Sequence, residues 1–155
     1  MLCNKAFYRL CPYIIFLLFV SEKVAFHVSL SSDIVGTTRG QTIVFNQVDT
    51  NLGGGYNNAT GVFTAPVAGT YVFSLTFNMY YVSPYATYGE LQIMINDVMK
   101  LRVSNELDSY ADEGSASGTT VLVLSTGDRV YVRDDRGKMY LYGSRLTYFS
   151  GFLLA

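Results

Sequence analysis

Two adjacent carboxylates, Asp134 and Asp135, stand in the polar run VRDDRGKMYLYGS (132–144). Hard carboxylate oxygens, completed by backbone carbonyls and water, are what calcium takes, so the pair is a candidate calcium site. Arg133 and Arg136 flank it, and the competing reading is a solvated turn that neutralises itself. Upstream, YYVSPYATYGE (80–90) gathers Tyr80, Tyr81, Tyr85 and Tyr88 around one proline. Tyrosines offer rigid amphipathic contact area to a partner or a sugar face, which makes Tyr81, Tyr85 and Tyr88 candidate ligand-binding residues. The alternative is a loop folded onto its own domain or into a subunit interface. The triplet Asn58-Ala59-Thr60 is an acceptor for N-glycosylation in a surface loop, meaningful in a secreted chain.

Catalytic chemistry finds little to use. The one histidine, His27, falls in an alternating strand-like run, and the two cysteines, Cys3 and Cys11, lie in the first eleven residues. No zinc set of nitrogen and sulfur ligands can be assembled from the body of the chain. Asp128 follows Gly127 as a turn aspartate would, accepting backbone N–H groups. The triglycine Gly53 to Gly55 lacks the Gly-Lys-Ser/Thr ending of a phosphate loop. The expectation is a protein that is not an enzyme.

The chain of 155 residues is half apolar and 15% charged, with 11 basic and 12 acidic residues and a net charge of −1. One domain is expected, with no basic footprint for nucleic acid. The N-terminus differs from the rest: Lys5 and Arg9 precede the apolar run LCPYIIFLLFV (10–20). That run is too short for a membrane span, which needs roughly 20 apolar residues, and has the length of a signal-peptide core. Residues 1–21 are therefore expected to be a secretory leader, with no stable membrane span and with the folded domain over 22–155.

From Val24 onward, short β-branched and aromatic runs alternate with turn chemistry, and no segment holds a helical period over three turns. In TYVFSLTFNM (70–79), Tyr71, Phe73, Leu75, Phe77 and Met79 share one face, and Val72, Ser74, Thr76 and Asn78 the other. In ELQIMIN, Leu91, Ile93 and Ile95 fall together, and Asn96-Asp97 reads as a tight hairpin turn into VMKLRV. The stretch GVFTAPVAGTYVFS (61–74) reads as a hairpin around Pro-Val-Ala-Gly, with Gly69 at positive φ and the aromatics in the core. These residues are scaffold; function is expected in loops and on an oligomer surface. The fold class is all-β, a sandwich or barrel.

The ordered blocks AFHVSLS (25–31), FNQVDTNLGGGY (45–56), TGVFTAPVAGTYVF (60–73), LQIMIND (91–97), GSASGTTVLVLSTGDRVYV (114–132) and TYFSGFLL (147–154) resemble the globular head domain of the C1q and C1q/tumour-necrosis-factor family. The resemblance covers nearly everything after Val24. It implies a ten-stranded jelly-roll β-sandwich that assembles as a homotrimer, and in some members calcium is bound at the trimer apex by acidic residues of the Asp134/Asp135 region. The sequence holds no Gly-X-Y run, so the collagen stalk of complement-type members and its effector coupling are not carried over. The resemblance further implies a secreted, extracellular recognition protein of innate immunity, lectin-like in its loops. Its partners would be microbial or host polysaccharide, lipid or glycoprotein ligands, with threefold symmetry supplying avidity. Two other classes remain open: a signalling ligand for a cell-surface receptor, and a structural matrix or mineral-associated protein.

Overall fold

The computed structural model describes residues 23–81, 85–107 and 113–154; the leader expected over 1–21 lies outside them. Among the described residues there is no helix, and twelve strands form two antiparallel sheets. The first sheet contains β1 (Ala25–Ser29), β2 (Ile34–Val35), β3 (Gln47–Leu52), β6 (Gly69–Tyr80), β9 (Glu113–Leu124), β11 (Tyr140–Leu141) and β12 (Tyr148–Leu153). The second contains β4 (Tyr56–Asn57), β5 (Val62–Thr64), β7 (Tyr88–Ile95), β8 (Val98–Glu106) and β10 (Arg129–Asp134), in the order β4-β5-β10-β7-β8. The expected jelly-roll sandwich is present; three of the twelve strands, β2, β4 and β11, are two-residue segments.

Strand β6 shows why. Its five alternate apolar residues, Tyr71 to Met79, are fully buried, while Val72 to Asn78 stay half-exposed on the other face. Across the sandwich it meets Leu91 and Ile93 of β7 and Val130 and Val132 of β10, all fully buried. Phe73 is the hub of an aromatic cluster, with ring centroids 6.2 Å from Phe26, 5.8 Å from Phe63, 6.0 Å from Tyr71 and 5.9 Å from Phe149. Gly151 belongs to this packing: a Cβ there would lie 2.6 Å from the Phe73 ring and 2.7 Å from that of Phe26. Its close approach is to its own chain.

The turn between β7 and β8 is the expected hairpin. Asn96 and Asp97 both take left-handed backbone, φ 46° and 71°, which matches the right-handed twist of the strands. The Asn96 amide donates to Asp128 Oδ1 at 2.8 Å and its carbonyl accepts from Arg129 N–H at 2.9 Å; the Tyr131 hydroxyl donates to Asp97 Oδ1 at 2.5 Å.

The stretch around Pro66 is not a hairpin. Strand β5 pairs with β4 and β10 in one sheet, and β6 with β9, β11 and β12 in the other, so Pro-Val-Ala carries the chain across the sandwich. A hairpin would set Phe63 and Tyr71 side by side on one sheet; the crossing brings them together from opposite sheets, edge to face with centroids 5.7 Å apart. Gly69 opens β6 opposite Leu124 and is not among the left-handed residues. The glycines with positive φ here are Gly61, at 75°, which opens the stretch, and Gly127, at 89°, whose N–H donates to the Ala65 carbonyl at 2.9 Å.

Candidate functional site

The solvent face of the first sheet is organised in rows. Leu52, Ala25, Phe152, Val72 and Val121 stand in register across β3, β1, β12, β6 and β9. Because side chains in register point to one face, they form an apolar belt spanning five strands. Val123 and Leu154 extend it, at 80% and 60% exposed; Val121 is 59% exposed and Phe152 46%. The next row, Thr50, His27, Ser150, Ser74 and Thr119, is polar but carries no carboxylate, lysine or arginine. His27 Nδ1 and Ser150 Oγ are 2.7 Å apart, and Thr119 donates to Ser74 Oγ at 3.1 Å, so His27 is a hydrogen-bonded strand residue. An exposed apolar belt beside a band free of those charged groups is the composition of an interface centre.

At the far end of the same face lie tyrosines. Val35, Tyr140, Tyr80 and Glu113 form a row across β2, β11, β6 and β9. The rings of Tyr80, Tyr140 and Tyr142 make a triangle with centroids 5.7 to 5.8 Å apart, and Tyr85 meets Tyr140 at 6.2 Å. Asp33 ties this cluster down, accepting from the Tyr140 hydroxyl at 2.7 Å and the Gly143 N–H at 2.8 Å. Those bonds, the Gly143 one foremost, hold its carboxyl below the ordinary carboxylate range.

The tyrosines expected to act together are thus divided. Tyr81 packs against the core, Tyr85 joins the surface cluster, and Tyr88 opens β7, donating to Glu90 Oε2 at 3.1 Å. Tyr140 and Tyr142 were not selected from the sequence, although their spacing of two in KMYLYG signals one shared strand face.

The acidic pair is divided as well. Asp134 is fully buried, and its Oδ1 accepts from the N–H groups of Arg136 and Gly137 at 2.7 and 2.8 Å. Its Oδ2 is buried with no hydrogen-bond partner among the described residues. Asp135 lies 3.9 Å from the Arg133 guanidinium. Calcium takes six to eight oxygens, and among the described residues no group of three or more His, Cys, Asp or Glu converges to hold a metal. A calcium ion at the Asp134/Asp135 pair would take the rest of its oxygens from backbone carbonyls and water.

Glu90 is not marked out by any local pattern. Its side chain is fully buried on the solvent side of the second sheet, where Oε1 lies 2.9 Å from Arg102 Nε and accepts from Gln92 Nε2 at 2.8 Å. Oε2 lies 3.6 Å from Arg136 Nε, and the Arg136 guanidinium sits 5.1 Å above the Tyr88 ring. Asn58 is exposed in the turn between β4 and β5. The triglycine lines an open groove with Pro66 and Gly127 that no charged side chain enters. No helix among the described residues is long and apolar enough to cross a membrane.

Comparison with known proteins agrees with this architecture. Residues 25–154 match the family described as "C1q domain". The chain is 33% identical over 132 residues to human complement C1q tumor necrosis factor-related protein 3, covering 85% of this chain and 51% of that protein. It is 33% identical over 135 residues to Caprin-2 of Danio rerio, covering 85% of this chain and 14% of that one; the chain thus spans about half of the first relative's length and a small part of the second's. Among solved structures, the globular domain of zebrafish complement 1qA superposes with a TM-score of 0.69 at 23% identity, over 86% of this chain and 98% of that one. The Eiger tumour necrosis factor of S. frugiperda superposes with a TM-score of 0.72 at 14% identity, over 87% and 94%.

Proposed function

On the premise that this chain belongs to the C1q-domain family, we propose that it is a secreted homotrimeric recognition protein, binding microbial or cell-surface ligands through its loops. The domain is a non-enzymatic, ligand-binding fold. The observation that carries the trimer is the apolar belt Leu52, Ala25, Phe152, Val72 and Val121, a face that a second and third copy of the chain would cover. Packing three copies around an axis repeats every loop three times, so that weak single contacts add up to useful avidity. Tyr85 and the Tyr80, Tyr140, Tyr142 triangle supply rigid aromatic contact area in that arrangement.

The test is binding of purified protein to whole microbial cells, scored against binding to host cells. Recognition predicts saturable binding to microbes that falls about tenfold in Tyr85→Ala, the scale of a modest contact residue. Saturable binding to host cells alone would replace this reading with a receptor ligand.

A further inference from the structure

Glu90 is a buried carboxylate that neither the trimer face nor the core requires. It stands on the solvent side of β7, opposite Ser104 of β8, with Gln92, Arg102 and Arg133 forming the adjacent row across β7, β8 and β10. Burying a carboxylate is costly unless it is paired and hydrogen-bonded, and four side chains meet that demand here: Arg102, Gln92, Tyr88 and Arg136. Both arginines approach through Nε, the inner edge of the guanidinium. Their side chains are 51% and 53% exposed, so the outer edge, with its terminal amino groups, is left to solvent.

One carboxylate thus pairs with two guanidinium groups, Arg102 at hydrogen-bond distance and Arg136 at 3.6 Å, and the Tyr88 ring lies under the second. Tyr88, expected to touch ligand, is in this arrangement a positioning residue. Gln92 continues the network, its Oε1 accepting from Arg133 at 3.0 Å. Preorganised guanidinium forks are the chemistry that recognises oxyanions two bonds at a time.

We propose that Arg102 and Arg136 form an oxyanion-binding site for the sulfate or carboxylate groups of an acidic polysaccharide. The inference deepens the recognition reading and rests on it for avidity. The chain as a whole has a net charge of −1, which gives no long-range attraction to a phosphate-rich membrane or nucleic acid, and the site depends on the geometry of its forks. Anionic groups spaced along a flexible chain suit that geometry, and three copies would read three of them.

The experiment measures binding of the full-length secreted protein to immobilised dextran sulfate, with neutral dextran and phosphatidylserine vesicles alongside, and molar mass by light scattering on the same sample. Arg102→Lys and Arg136→Lys keep the charge and lose the fork; each should bind dextran sulfate about tenfold more weakly. Glu90→Gln raises the net charge by one, so attraction by charge alone would strengthen binding, whereas loss of the anchor weakens it. The lysine variants, at half-exposed positions, decide the matter if Glu90→Gln does not fold. Equal affinity of wild type and both lysine variants, equal binding to neutral dextran, or binding to vesicles in place of dextran sulfate would each overturn the proposal. A trimer that binds microbes but not dextran sulfate sinks this site alone; a monomer that binds no microbes sinks the recognition reading.

Discussion

Val121→Asp places a carboxylate in the apolar belt at the position where β9 faces Val72. Full burial of a valine side chain is worth about 2 kcal/mol. With Val121 59% exposed in one chain, covering the remainder stabilises an assembly by about 1 kcal/mol per copy, or about 3 kcal/mol per trimer. Removing that and desolvating a carboxylate, which costs several kcal/mol per ion, brings the penalty over three copies to about 10 kcal/mol or more. At 1.4 kcal/mol per decade that is about seven decades in the assembly constant. In the isolated chain the same side chain is exposed, so the head itself should lose only about 0.5 to 1 kcal/mol. Light scattering across the micromolar range should give three chain masses for wild type and one for Val121→Asp, with the same far-ultraviolet circular dichroism. A Val121→Asp protein with wild-type mass and concentration dependence would refute the belt as the interface.

Phe73→Ala, at the centre of the aromatic cluster, should lower the stability of the folded head by about 3 to 5 kcal/mol in urea unfolding; a loss below about 1 kcal/mol would mean the cluster is not the core. Asp33, held at a depressed pKa by the Gly143 and Tyr140 bonds, contributes stability above the ordinary aspartate value near 4 and loses it as pH falls through the folded value. The difference in urea midpoint between wild type and Asp33→Asn should therefore shrink below about pH 4. A constant difference would assign the effect to packing. Asn58→Gln should remove the mass step released by peptide N-glycosidase from the secreted protein, and an unchanged glycan would place modification elsewhere. If calcium binds at Asp134 and Asp135 within one chain, chelation should lower the melting temperature of the Val121→Asp monomer; an unchanged value would favour the solvated turn.

The reach of sequence reasoning depended on how local the determinant was. The alternation in β6 and the Asn96-Asp97 turn are set by neighbouring residues, and both elements form where the pattern puts them. The Pro66 stretch misled because its turn chemistry suits a hairpin and a sheet crossing equally. What decides is the pairing of β5 with β10 and β6 with β12, far along the chain. Glu90 stayed unmarked for the same reason: its partners are Arg102 on the next strand and Arg136 beyond β10. Asp134 and Asp135 share a loop, yet the turn takes one inward to the Arg136 and Gly137 N–H groups and leaves the other beside Arg133. Adjacency in sequence did not give them one environment.

The account stands most directly on the state of the protein that cells release. The full chain should be expressed in secretory cells, and the product in the medium analysed by intact mass and light scattering. A released protein cleaved near residue 21, with a molar mass three times that of the cleaved chain, is the result the account predicts. A product retained in the cell, or a released monomer at micromolar concentration, would contradict it.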